Sequence, residues 1–186
     1  MRSSHRRLRR TSCVTRKADV SDADDIARVH VRSWEETYRG KLPAHAVDAL
    51  THDVALEKWQ RDLAKDTVWT YLHESKGVTD GFASAFRTAA EPGFAAMLSN
   101  LYVLRAAHRH GVGRALLAAL FGDLLANGID RIWLLTLRDD NPARRFYEKL
   151  GARLVREQPA PAVLGRGVMD VVYCFDDLTQ RVYWTP

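Results

Sequence analysis

The stretch HRHGVGRALLAALF, residues 108–121, constrains this chain more than any other. Leu116, Leu117, Leu120 and Phe121, continued by Leu124, repeat at helical spacing and mark a wide buried face on a helix over 113–127, with Gly128 as its C-terminal stop. Gly111 and Gly113 stand at its entrance. Glycine is costly where the backbone must be fixed, so the pair points to a tight turn or to something approaching the main chain too closely for a Cβ. The first N–H groups of a helix lack internal partners and carry partial positive charge. Such a turn suits a phosphate, and an anion-binding helix start is expected here.

A chain of 186 residues that is 46% hydrophobic can bury a core around such a helix as one domain, without staples. Cys13 and Cys174 cannot build a multi-bridge framework, and their separation offers no metal-ligand cluster. No metal is therefore expected, and a reducing, cytoplasmic setting fits. No apolar run reaches the length of a membrane span, and the opening MRSSHRRLRR leads into TSCVTRKADV rather than an apolar signal core. Neither secretion nor membrane insertion is read. Arg2, Arg6, Arg7, Arg9 and Arg10, with no acid among the first ten residues, carry the whole formal net charge of +5. Residues 1–12 read as a solvated, disordered arm or an upstream start, in preference to an arm that grips phosphate backbones.

Beyond the arm, elements alternate. VTRKA (14–18) reads as a strand, and Ser21 with Asp24 as a capping box opening a helix through about Tyr38. Gly40 and Pro43 break it, and a second helix is expected from about Ala44 to Ala64, with Leu50, Val54 and Leu63 on its apolar face. Strands at about 67–74 and 81–88, joined by SKGVTD, and at about 95–104 after EPG, form an antiparallel meander. After the glycine-led helix, RIWLLTL (131–137) runs through DDNP into a helix at 142–150, closed by Gly151. Two last strands, about 152–158 and 168–175, flank PAPAVLGRG. The order gives a mixed sheet with helices packed on it.

Two nucleotide-binding patterns fail. A P-loop needs Lys then Ser or Thr after its glycines, whereas Gly113 is followed by Arg114 and Ala115. The dinucleotide fingerprint lacks its three-glycine spacing and its acidic strand end.

On three ordered matches the chain resembles the GNAT superfamily of acyl-CoA-dependent N-acyltransferases over about residues 14–178. LYVLRAAHRHGVGRALL resembles the strand and pyrophosphate loop, DDNPARRFYEKLGA the next strand end and helix, and HVRSWEETYRGKLP the first helix. The resemblance implies an α/β fold, a GNAT-like domain over 13–178 with a mixed, mostly antiparallel sheet and helices on both faces, and a tail at 179–186. It implies an N-acetyltransferase that moves an acetyl group from acetyl-CoA to a primary amine, small molecule or peptide. Direct transfer in a ternary complex is expected, because no Cys lies in the matched motifs. A homodimer is left open, and neither a membrane nor a nucleic acid is the expected partner.

The resemblance assigns roles residue by residue. His108, Arg109, His110, Gly111, Val112 and Gly113 match the pyrophosphate loop, with His108 departing from the family's first position; amides across 109–114 bind the diphosphate, assisted by Arg109 and Arg114. The main chain of Leu101, Tyr102 and Val103 pairs with the pantetheine arm. Asn141 holds that arm, caps the next helix before Pro142, or does both. Tyr147 matches the general acid that protonates the departing thiolate. Met97 occupies the position where many relatives carry a glutamate base, Glu35 and Glu36 read as ion pairs with Arg39 and Arg32, and no base is assigned. His30, Trp34 and Tyr38 share one helix face that reads mostly as core, with Trp34 and Tyr38 as candidate substrate contacts beside the loop 159–167. The competing readings are a non-enzymatic acyl-CoA sensor, with Met97 marking lost catalysis, and a nucleic-acid partner docked by the arginine arm.

Deleting residues 1–12 should leave coenzyme A affinity and thermal stability at the parent values, since the arm precedes the first matching strand. Calorimetry and a melting curve on the truncated chain check this. A large drop in either would place the arm in the domain or its site.

Overall fold

A computed structural model describes residues 13–180; the arginine arm and most of the expected tail lie outside them. Seven strands form one sheet: β1 (Cys13–Lys17), β2 (Val68–Ser75), β3 (Val78–Arg87), β4 (Ala96–Val103), β5 (Ile132–Leu137), β6 (Arg153–Pro159) and β7 (Met169–Phe175). Their order is β1-β2-β3-β4-β5-β7-β6, and every neighbouring pair is antiparallel except β4–β5. Lys76 and Gly77 both have positive φ at the β2–β3 turn, the backbone a tight hairpin demands.

Helices cover both faces, because alternate strand residues point to opposite sides and each side is apolar. On one face α4 (Val112–Ala126) and α5 (Asn141–Lys149) bury Leu116, Leu117, Leu120, Phe121 and Leu124 against Ala83, Leu98, Ile132, Leu134 and Tyr173. On the other, α1 (Ala23–Tyr38) and α3 (His52–Leu63) bury Ile26, Ala27, Val29 and Trp59 against Leu72, Phe82 and Leu104. A short α2 (Ala44–Asp48) lies between α1 and α3 in sequence. No helix among the described residues is long and apolar enough to cross a membrane.

Two local expectations are corrected. The capping box uses Asp19 and Asp22, not Ser21 and Asp24, and opens a short 3₁₀ turn, Val20–Asp22, that leads into α1. Asp22 accepts from the Asp19 amide at 2.9 Å while Arg16 of β1 donates to both of its carboxylate oxygens at 2.8 and 2.7 Å, so a tertiary ion pair decides which acid caps. The helix expected over 44–64 is two helices, because the Thr51 hydroxyl accepts from the Val54 amide and starts α3 afresh. No glycine or proline marks that break.

His30 of α1 is core. It is 6% exposed, packs against Trp59, Phe82 and Tyr102, and its Nδ1 accepts from the Trp59 indole at 3.2 Å. Burial, with a smaller push from Lys58, lowers its pKa from 6.5 to about 3. Between those values the unfolded chain holds a proton that the folded chain does not. The stability is complete above pH 6.5 and is lost as pH falls toward 3, at up to about 1.4 kcal/mol per pH unit. Between pH 7 and 5, urea unfolding should show the parent losing about 2 kcal/mol more than His30→Gln. Equal losses would assign the acid sensitivity to other groups.

Candidate active site

The parallel pairing of β4 with β5 is short: Ala96, Met97 and Leu98 face Ile132, Trp133 and Leu134, and beyond them the two strands part. A bulge sits where they do. Asn100 faces Ser84 and Leu98 faces Ala85, leaving Ser99 as the extra residue, and its hydroxyl donates to the Ser84 carbonyl at 3.1 Å. A bulge bends its strand, so the last residues of β4 leave β5 and expose an edge of unpaired backbone. Leu101, Tyr102 and Val103 lie on that edge, with Leu101 and Val103 packed into the α4 side of the core and Tyr102 into the α1 side.

From this edge the chain enters the glycine loop. His108 Nε2 donates to the Val103 carbonyl at 2.8 Å, pinning the loop to the end of β4. That carbonyl is thus already used, and Tyr102 turns its amide and carbonyl to Phe82 of β3, because the Leu104 amide donates to the Asp80 carbonyl and bonded pairs alternate along the ladder; Leu101 and the Val103 amide are the free part of the expected pantetheine edge. Arg109 adopts φ 63° and Gly111 φ 82°, both left-handed. Gly111 takes that conformation at no steric cost as the N-cap of α4. Among the described residues, none of the amides from Arg109 through Arg114, including those of His110 and Val112, has a hydrogen-bond acceptor. The result is a row of free donors on a helix N-terminus. Arg109 and Arg114 flank it and make no ion pair within the described residues. Gly113 faces the other way: a Cβ there would stand 3.2 Å from Phe146 Cζ, so this glycine lets α5 approach α4 closely. The free amides, open space around Gly111 and flanking cations fit a diphosphate.

At the mouth of the cleft three tyrosines and two acids gather. Tyr147 of α5 is 8% exposed, its ring edge-on to Phe146 with centroids 5.5 Å apart. Burial first, then the charges of Tyr38 and Asp140, push its hydroxyl pKa well above the ordinary value. Tyr38 and Tyr102 lie within electrostatic reach of each other, and burial, then the Asp140 charge, pushes Tyr38 up to about 12. Trp34 and Tyr38 stack with centroids 4.4 Å apart and pack on Leu42, Ala46, Val47, Leu137, Leu164 and Val168. The loop after β6 closes over this patch, with Gly165 against Pro43.

Asn141 is corrected as a cap. The Asp140 amide donates to the Leu137 carbonyl at 3.0 Å, which starts the turn one residue early. Asp140 is therefore the N-cap of α5, and Asn141 is its first helical residue, exposed and free to face a ligand. Asp140 is buried and lies 3.6 Å from Lys41 Nζ. Glu35 and Glu36 are held as expected: Glu35 accepts from Arg39 at 2.8 Å, and Glu36 from Arg32 at 3.1 Å and from the Arg105 amide at 3.1 Å. Burial raises the Glu36 pKa, but the Arg105 amide and Arg32 outweigh it and hold the carboxyl below the usual range. Met97 sits in an apolar cluster with Phe94, Trp133 and Leu135, and the buried acid near that cluster, Glu91, is paired with Arg156. Sequence reasoning missed both buried acids of this region, Asp140 and Asp170; the only signal for the second was an acid inside the apolar run MDVVYCF.

The Acetyltransferase (GNAT) family model matches residues 28–152. The uncharacterized N-acetyltransferase YuaI of Bacillus subtilis (strain 168) is 32% identical over 143 residues, covering 76% of this chain and 81% of the relative. Among solved structures, PaiA N-acetyltransferase of Thermoplasma acidophilum, in complex with coenzyme A, superposes with a TM-score of 0.69 at 18% identity over 88% of this chain and 98% of that one. YncA of Salmonella typhimurium, solved with acetyl-CoA, gives a TM-score of 0.69 at 18% identity over 90% and 95%.

Proposed function

Since the chain belongs to the GNAT acetyltransferase family, and is thereby an acyl-CoA-dependent N-acetyltransferase, we propose that it moves the acetyl group of acetyl-CoA to a primary amine by direct transfer in a ternary complex. The observation that carries this reading is the divergence of β4 from β5 between a loop of free amides and the buried hydroxyl of Tyr147. Bound acetyl-CoA supplies a thioester carbonyl open to attack by an amine. The amides of 109–114, with Arg109 and Arg114, hold its diphosphate, and the outward edge of Leu101 and Val103 with Asn141 holds its arm. Tyr147 donates its phenolic proton to the departing sulfur. Trp34 and Tyr38 wall the acceptor side.

Direct transfer is favoured by the thiols. Cys13 is exposed on the outer strand, and Cys174 is fully buried, its thiol pushed up to about 11 by burial; neither suits an acyl carrier. The test is free-thiol release from acetyl-CoA against a panel of primary amines. Amine-dependent release is the expected result. Tight acetyl-CoA binding with no release to any amine would make the protein an acyl-CoA sensor instead.

A further inference from the structure

Most buried acids among the described residues have a partner. Asp22 is bound by Arg16 at 2.7 Å, Glu91 by Arg156 at 2.7 Å, and Asp140 by Lys41 at 3.6 Å. Asp170 differs. It is 5% exposed, and its carboxylate makes no hydrogen bond or ion pair with any described residue. A carboxylate so withdrawn from water without a counter-charge is costly, and a cation arriving from outside offsets that cost.

Its place in the sheet says which one. Asp170 of β7 stands directly opposite Leu137 of β5, and antiparallel partners share a face. That face carries Trp34, Tyr38 and Leu42, the wall proposed above for the acceptor. Tyr38 is close enough to feel the Asp170 charge. The indole N–H of Trp34 is buried without an acceptor, a second unspent polar group on the same patch. Near Met97 and Leu135 the buried acid is Glu91, already held by Arg156.

We infer that Asp170 is the acceptor-side base: it receives the ammonium of an apolar primary amine and takes its proton. The inference deepens the acetyl-transfer reading and rests on it. In the step an N–H bond of the ammonium breaks, its electron pair stays on nitrogen, and the proton forms an O–H bond on the carboxylate. The neutral amine keeps the lone pair it needs for attack, and Asp170 later returns the proton to water. Burial raises the pKa of this carboxyl, the direction that suits a base working near neutrality. The apolar wall selects the rest of the acceptor: an alkyl or aryl body rather than a polycation, since the other buried acid near Tyr38, Asp140, is paired with Lys41.

The experiment compares the parent with Asp170→Asn and Asp170→Glu, each saturated with coenzyme A, which cannot react. Hexylamine and phenethylamine are titrated by calorimetry, with hexanol and phenethyl alcohol as uncharged counterparts. The coenzyme A-induced thermal shift checks that the variants fold. Both amines should bind the parent, bind Asp170→Asn at least about tenfold more weakly, and recover part of the loss in Asp170→Glu, while the alcohols bind all three alike. With acetyl-CoA, amine-dependent turnover at saturation should fall about 10²- to 10⁴-fold in Asp170→Asn. Amines that bind Asp170→Asn as tightly as the parent, or bind neither, overturn the inference; so does unchanged turnover. Amine binding that depends on Asp170 in a parent that releases no thiol supports the cation site and overturns acetyl transfer instead.

Discussion

Tyr147→Phe lowers amine-dependent turnover by about 10²- to 10⁴-fold while folding and coenzyme A affinity stay near the parent. The ring is what packs against Phe146 and the α4 side of the core, and Phe keeps it. The hydroxyl has no hydrogen-bond partner among the described residues, so its removal forfeits none of the roughly 0.5–1.5 kcal/mol that an internal hydrogen bond contributes. Burial, then Tyr38 and Asp140, hold its pKa far above the ordinary 10.0, so the hydroxyl stays protonated through neutral and mildly alkaline pH. It therefore adds no alkaline limb to the parent's pH profile. The defect in the variant should shrink as pH rises toward the pKa of the thiol, where the thiolate departs without an acid. Steady-state turnover with saturating acceptor, alongside calorimetry, measures both. Full turnover in a folded Tyr147→Phe variant would reduce this residue to packing.

Gly113→Val weakens coenzyme A binding roughly 10- to 100-fold, the scale of losing one to two good hydrogen bonds to a charged group. A Cβ at 113 meets Phe146 Cζ at 3.2 Å and Cε2 at 3.5 Å, and the branched Val adds two more carbons to that contact. The first turn of α4 must move, and it carries the free amides. Overpacking of this kind also costs about 1–3 kcal/mol of stability, which urea unfolding reports separately. A ligand at one hundred times its dissociation constant adds about 2.7 kcal/mol to apparent stability, so the loss of binding is readable as a thermal shift. A folded Gly113→Val protein that keeps the full coenzyme A-induced shift would sink the phosphate-loop reading. The sequence alone suggests that a Cβ at 113 would crowd a bound phosphate. The contact is instead with α5, and Gly111, with its left-handed φ and empty surroundings, is the glycine that shapes the loop.

Local chemistry explains which parts of this molecule could be read in advance. The strand–loop–helix around 101–126, the hairpin at Lys76–Gly77 and the helix closed before Gly151 depend on neighbours in sequence, namely apolar spacing, positive-φ turns and helix stops. The glycine loop and Tyr147 were legible for the same reason, as short ordered motifs. A mixed sheet with helices packed on it followed from the order of elements, and helices on both faces of a mostly antiparallel sheet from the resemblance to the family.

Contacts between distant segments decided the rest. Whether Asp22 or Ser21 shapes the entry to α1 depends on Arg16, held in place by β1 pairing with β2. The pinning of the glycine loop by His108 needs the end of β4 to lie beneath it. Glu36 has Arg32 four residues away on one helix face, and that spacing predicts their pair; Asp170 lies in the apolar run MDVVYCF, where nothing along the chain says what stands across from it. Folding gives Glu36 an arginine and a backbone amide, but buries Asp170 across from Leu137 with nothing to pair with. The sequence by itself determined the periodicities and turns, which are energies of neighbours along the chain. Only the tertiary structure decided which charges are neutralised on folding and which is left for a ligand, because that depends on what lies across the sheet.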